Sequence, residues 1–170
     1  MKRGFLKFFL AALVVMLFWG CYKPKTYSDI PSIQFVSLTK QSSASRADST
    51  TIITISFTDG DGDIGYTTPN GNPQDFIVSF FQKEKGVWVA DTAGQNDSTV
   101  ANFSGTLPYL TPDGNNKALT GEISMTQYIQ LTTLYNNGIN DTIHYQIFIY
   151  DRAMHQSNTI TTSDIVISTH

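Results

Sequence analysis

The feature that most constrains this chain is the strict alternation of apolar and polar residues in short runs. In TIITISFT (51–58), Ile53, Ile55 and Phe57 alternate with Thr54 and Ser56. In DTIHYQIFIY (141–150), Ile143, Tyr145, Ile147 and Ile149 fall on one side, with His144 and Gln146 on the other. A period of two buries one face of a strand and wets the other, whereas a helix needs a period near 3.6. SIQFVSLT (32–39), FIVSFFQK (76–83), VWVA (87–90), STVANFSGTL (98–107), LTGEISMT (119–126) and SNTITTSDIVIS (157–168) extend the series. Turn clusters such as TPDGNN (111–116) separate them, and Glu84, Lys85 and Gly86 mark a hairpin between two of the runs. The expectation is an all-β domain over residues 32–170, a β-sandwich of seven to eight short strands.

The architecture expected is immunoglobulin-like in the general sense, because the Cys…Trp…Cys spacing of antibody domains is absent. One stretch departs from the period of two. TQYIQLTTLY (126–135) puts Tyr128, Leu131 and Tyr135 near helical spacing, which predicts a short helix in the connection before the penultimate strand.

Ahead of the strands, MKRGFLKFFLAALVVMLFWGC (1–21) has basic residues at Lys2, Arg3 and Lys7, then an apolar run from Phe8 to Trp19. Basic start, short apolar run and small residue are the layout of a secretory signal over residues 1–20. The run falls short of the roughly 20 apolar residues that a spanning helix needs. Cys21 is the sole cysteine, so no internal disulfide exists. Gly20-Cys21 after that run resembles the lipobox of bacterial lipoproteins, which implies a diacylated Cys21 as first residue of the mature chain; an incidental cysteine beside an ordinary cleavage site is the alternative. YKPKTYSDIP (22–31), with two prolines and two lysines, reads as a tether lifting a domain off a membrane.

Residues 1–20 hold three of the 11 basic side chains and none of the 14 acidic ones, so 8 face 14 in the remainder, a net charge of −6. Nucleic-acid binding therefore has no electrostatic support. Enzyme chemistry lacks an anchor too: no GxSxG elbow, P-loop or GxGxxG fingerprint occurs, and His144, His155 and His170 have no metal-ligand spacing.

SFTDGDGDIGY (56–66) is the stretch that carries chemistry. Asp59, Asp61 and Asp63 alternate with Gly60 and Gly62, and Gly65 follows. Calcium takes six to eight oxygen ligands, and alternating carboxylates on a tight loop converge on one ion. The start resembles an EF-hand, but Ile64 replaces its glycine, Asn70 its bidentate glutamate, and no helices flank it. If TIITISFT is the second strand of a sandwich and DTIHYQIFIY the sixth, the loops after them share one end. Asp151 would then join the three aspartates in a two-loop calcium site, as in cadherin-like domains; alternatively Arg152 would neutralise the loop as an ion pair, or the loop is an acidic turn without an ion.

Among the aromatic residues, Trp88 on a presumed edge hairpin is the candidate sugar platform, although sandwich cores also use aromatics heavily. Ser49, Thr92, Ser98 and Thr142 each follow an aspartate in triplets resembling the O-glycosylation sequon of Bacteroidota.

The lipobox-like start, SFTDGDGDIG (56–65) and IYDRAMHQSNTI (149–160) together resemble a group of Bacteroidota lipoproteins that carry an immunoglobulin-like sandwich. The resemblance implies an outer-membrane lipid anchor at Cys21 and a fold, and no activity. Basic Tyr22-Lys23-Pro24-Lys25, where surface-exposed lipoproteins of that phylum often carry an acidic cluster, favours the periplasm-facing leaflet. The function expected is a non-catalytic binding or structural module of the cell envelope, stabilised by calcium, whose partner is an envelope protein or a glycan. A surface carbohydrate-binding module is the alternative.

Overall fold

A computed structural model describes residues 26–42, 48–67, 73–90, 103–129 and 140–168. These form β1 (Ser32–Ser42), β2 (Asp48–Asp59), β3 (Phe76–Glu84), β4 (Val87–Ala90), β5 (Leu119–Tyr128), β6 (Asp141–Ile149), β7 (Ile160–Thr161) and β8 (Ile165–Ile167). All pairings are antiparallel, and no helix occurs among the described residues. One sheet has the order β1-β2-β5; the other has β4-β3-β6-β7, with β8 also on β6.

The alternating runs explain which faces meet. Ile53, Ile55 and Phe57 of β2 and Ile123 of β5 turn inward from the first sheet. Phe76, Val78 and Phe80 of β3, with Ile143, Tyr145, Ile147 and Ile149 of β6, turn inward from the second. Each such side chain gains about 1.5–3 kcal/mol by leaving water, and together they form one cluster between the sheets. Phe103 stacks on Phe80 with ring centroids 5.1 Å apart. The Tyr145 phenol and the Thr51 hydroxyl bond across the core at 2.8 Å, which satisfies the two buried hydroxyls in register.

Lys85 (φ 48) and Gly86 (φ 85) make the two-residue turn between β3 and β4, the twist that hairpins favour. The closing segment is not one strand. Thr162 interrupts it: its hydroxyl accepts from Tyr145 N at 3.0 Å while its own N–H donates to Tyr145 O, so β7 and β8 flank a side-chain-mediated gap along β6. The strand expected at 98–107 is reduced, among its described residues, to a single bridge between Gly105 and Phe76. Of the expected helix at 126–135, Thr126–Tyr128 instead extend β5, where packing against β2 overrides helical spacing; residues 130–135 lie outside the described part.

Strand β1 would present an open edge opposite β2. Asn158 covers it: Oδ1 accepts from Ile33 N and Nδ2 donates to Ile33 O, both at 2.9 Å, so one amide stands in for a neighbouring strand. This seam brings the loop after β6 against the first sheet, at the end where β2 finishes in Asp59.

Candidate metal site

Strand β2 runs straight into the acidic loop, so its last residue, Asp59, is fully buried. Its Oδ2 accepts from Gly62 N at 2.9 Å and Asp63 N at 3.1 Å, closing the turn over its own carboxylate. The other oxygen, Oδ1, is shielded from solvent and has no hydrogen-bond partner. Asp63 is similar: Oδ2 accepts from Ala153 N at 3.1 Å, and Oδ1 is buried without a partner. Asp61 is exposed. One carboxylate oxygen from each of the three aspartates lies within 4.8 Å of the others.

Crowding negative groups in a partly dry site disfavours the charged form. Burial, then the charges of Asp151, Asp61 and Asp59, push the Asp63 carboxyl up to about 6. Asp59 is raised as well, by burial first and then by Asp61 and Asp151, against the pull of its two backbone bonds. A divalent cation reverses both effects by supplying the missing counter-charge. The donor set, all oxygen and with an exposed aspartate on the solvent side, suits calcium or magnesium rather than a softer metal.

The glycines are there for packing. A Cβ on Gly60 would lie 2.6 Å from the Tyr27 carbonyl oxygen and 2.8 Å from that of Ser28. One on Gly62 (φ 70) would meet Pro112 at 2.7 Å and the Lys117 carbonyl, and one on Gly65 (φ 74) the Pro108 carbonyl. Three separate segments therefore press onto the loop at positions where only glycine fits. It is a packed hub and not a slack turn.

The loops after β2 and β6 do meet. Ile64 bridges Asp151, and Arg152 N donates to Asp63 O at 3.0 Å. Asp151 is fully buried and close enough for its charge to act on Asp63, and its carboxylate is bonded to His155: Oδ1 accepts from His155 N at 2.7 Å and Oδ2 sits 2.9 Å from His155 Nδ1. That bond and the Asp151 charge raise the His155 imidazole above its usual value. Arg152 makes no ion pair with the loop, contrary to one alternative drawn from the sequence. Its guanidinium donates instead to the carbonyls of Gly62, Ile64, Gly65 and Leu110 and to the Thr111 hydroxyl, and lies 4.5 Å from the Tyr109 ring centre. It ties the far half of the loop to the 109–111 segment, and among the described residues no cationic side chain pairs with Asp59, Asp61 or Asp63.

The remaining candidates are dispersed. Trp88 is half-buried, with the His144 ring 4.0 Å away and Lys83 Nζ 5.3 Å from its centre. His144 lies under Trp88 and Phe81 and pairs with Asp164 at 3.5 Å, so the face expected to be simply polar carries an aromatic cluster. Ser49 and Thr142 are half-buried in β2 and β6, each following a buried aspartate. Cys21, Thr92, Ser98 and His170 lie outside the described residues. Asp75, a second orphaned carboxylate, escaped the sequence reading: it is fully buried, Oδ1 accepts from Leu107 N at 2.6 Å, and Oδ2 is unpartnered. Its place just before Phe76 was the only available signal.

No protein-family model, curated protein or solved structure matches this chain.

Proposed function

We propose that the chain is a lipid-anchored, non-catalytic module of the bacterial cell envelope, an immunoglobulin-like sandwich whose loop end is set by calcium. The observation that carries the calcium reading is Asp59: a fully buried carboxylate with one orphaned oxygen, beside two more carboxylates, with no cationic side chain among the described residues bonded to any of the three. An uncompensated buried charge is costly, and an ion is the economical remedy. The strand order supports the immunoglobulin-like reading, since β1-β2-β5 facing β4-β3-β6-β7 is the arrangement of such a domain whose fourth strand is not among the described residues of the first sheet.

The anchor rests on the signal-like residues 1–20 and on Cys21, and outer-membrane attachment facing the periplasm rests on the basic residues after it. A binding or structural role fits a sheet frame that presents two loops joined at one end. Carbohydrate capture through Trp88 has less support, because His144 already packs against that ring.

Calorimetric titration of the full chain in detergent micelles with calcium tests the site. The expected result is one calcium per chain with Kd of about 10⁻⁴–10⁻³ M, the range of extracellular modules, weakened at least about tenfold in Asp61→Asn. Absence of calcium-dependent heat up to roughly 10 mM, well above that range, would remove the site from the proposal.

A further inference from the structure

Residues 22–31 read as a tether, but the described end of that segment, from Thr26, does not hang free of the domain. Its Tyr27 and Ser28 carbonyl oxygens lie against Gly60, between Asp59 and Asp61, close enough that a Cβ on Gly60 would fall 2.6 and 2.8 Å from them. The Tyr27 hydroxyl is shielded from solvent, and Ile30 N donates to the Ser28 hydroxyl at 3.0 Å. Carbonyl oxygens carry the negative end of the peptide dipole. These two sit beside Gly60, between two of the three aspartates, where a cation held by the loop would have them within its surroundings. The same two carbonyls and the converging carboxylates are the oxygen donors that calcium combines when it fills a shell of six to eight. Asp59 Oδ1, buried and unpartnered, marks the side of the loop still short of a positive charge.

We infer that the cation site is shared: the Tyr27 and Ser28 carbonyls join Asp59, Asp61 and Asp63 around one calcium ion, and occupancy clamps the N-terminal segment to the domain. This rests on the calcium reading above. Its consequence is mechanical. Only five residues separate Cys21 from Tyr27, so a clamped segment fixes the sandwich close to its point of attachment, whereas an empty site releases residues 26–31 and lengthens the leash. Binding couplings are reciprocal, so the segment must also strengthen calcium binding by the factor with which calcium holds the segment.

Hydrogen exchange of the full chain in detergent micelles, with EDTA and with saturating calcium, reads the clamp directly. Calcium is expected to slow the amides of residues 26–31 by about tenfold or more, and Asp61→Asn is expected to abolish the slowing. Gly60→Ala, which drives a methyl into the Tyr27 carbonyl, is expected to weaken calcium binding at least about fivefold. Because that variant also strains the loop, Tyr27→Ala serves as a second probe: it loosens the segment, leaves the aspartates untouched, and is expected to weaken calcium in the same direction. Calcium that binds by calorimetry without changing exchange at 26–31, or that binds Tyr27→Ala as tightly as wild type, overturns the clamp while leaving the calcium site standing. Failure to bind at all overturns both.

Discussion

Strand β2 begins and ends in a buried aspartate, and the two ends differ sharply. Asp48 accepts from Lys40 Nζ at 2.7 Å, from the Ser42 hydroxyl at 2.8 Å and from Ser168 N at 2.9 Å. Burial alone would raise it, yet Lys40, Ser168 and Ser42 together hold it below its ordinary value. Asp59 is as deeply buried, has only two backbone donors on one oxygen, and is raised. Asp151 repeats the first solution with His155. Asp48 is thus bonded to an ammonium and Asp151 to an imidazole, while Asp59, like the buried Asp75, keeps one oxygen without a partner. Arg152, on the adjoining loop, is committed to carbonyls.

The comparison can be broken at either end. The largest effect is expected at the satisfied end. Lys40→Met leaves Asp48 buried without its cation and should cost about 2–3 kcal/mol, between an exposed pair and a fully buried one because Lys40 is 38% exposed. Urea unfolding measures it, and adding Asp48→Asn should recover much of the loss. Across the core from β2, Tyr145→Phe should cost about 1–2 kcal/mol by leaving the buried Thr51 hydroxyl unpaired. The same variant tests linkage. With its pKa raised to about 12 by burial, Tyr145 contributes stability that is complete below pH 10 and lost as pH rises toward 12. The alkaline slope should shrink in the variant.

At the unsatisfied end the sign should reverse. Asp59→Asn keeps the acceptor and removes a charge, so in EDTA it should stabilise the protein by about 1 kcal/mol, the size of one weak like-charge contact, whereas Asp48→Asn destabilises. A stabilised Asp48→Asn, or a destabilised Asp59→Asn, would dissolve the contrast. The smallest effect concerns Asp63. Its folded pKa near 6 lies above the unfolded 3.8, so the folded state binds the proton more tightly and apo stability should rise as pH falls from 7 through 6. Difference melts against Asp63→Asn isolate that contribution, and calcium, which competes with the proton, should bind more weakly below pH 6.

The sequence made the frame legible because burial on a sheet imprints a period of two. Ile53, Ile55 and Phe57, and Ile143 through Ile149, are inward-facing as their spacing requires. What broke the pattern was decided across the fold. Thr162 splits the last strand by replacing a main-chain acceptor with its hydroxyl, and Thr126–Tyr128 follow β2 rather than their own helical spacing. Within the candidate site, the convergence of Asp59, Asp61 and Asp63 follows from their spacing. The roles of the glycines do not, because the atoms that crowd Gly60, Gly62 and Gly65 belong to Tyr27, Ser28, Pro108, Pro112 and Lys117, distant in the chain. Arg152 was legible as a neighbour of the loop but not as a donor to carbonyls, since guanidinium geometry is set by the backbone it meets.

A thermal melt of the full chain in detergent micelles, first with EDTA and then with calcium about a hundredfold above its Kd, tests the central claim most directly. A ligand bound only by the folded state adds about 2.7 kcal/mol there, which for a domain of this size raises Tm by roughly 5–10 °C. The account predicts that rise in the wild type and its absence in Asp61→Asn. An unchanged Tm in the wild type would contradict it, leaving Asp59 a buried charge that the fold carries without a counter-ion.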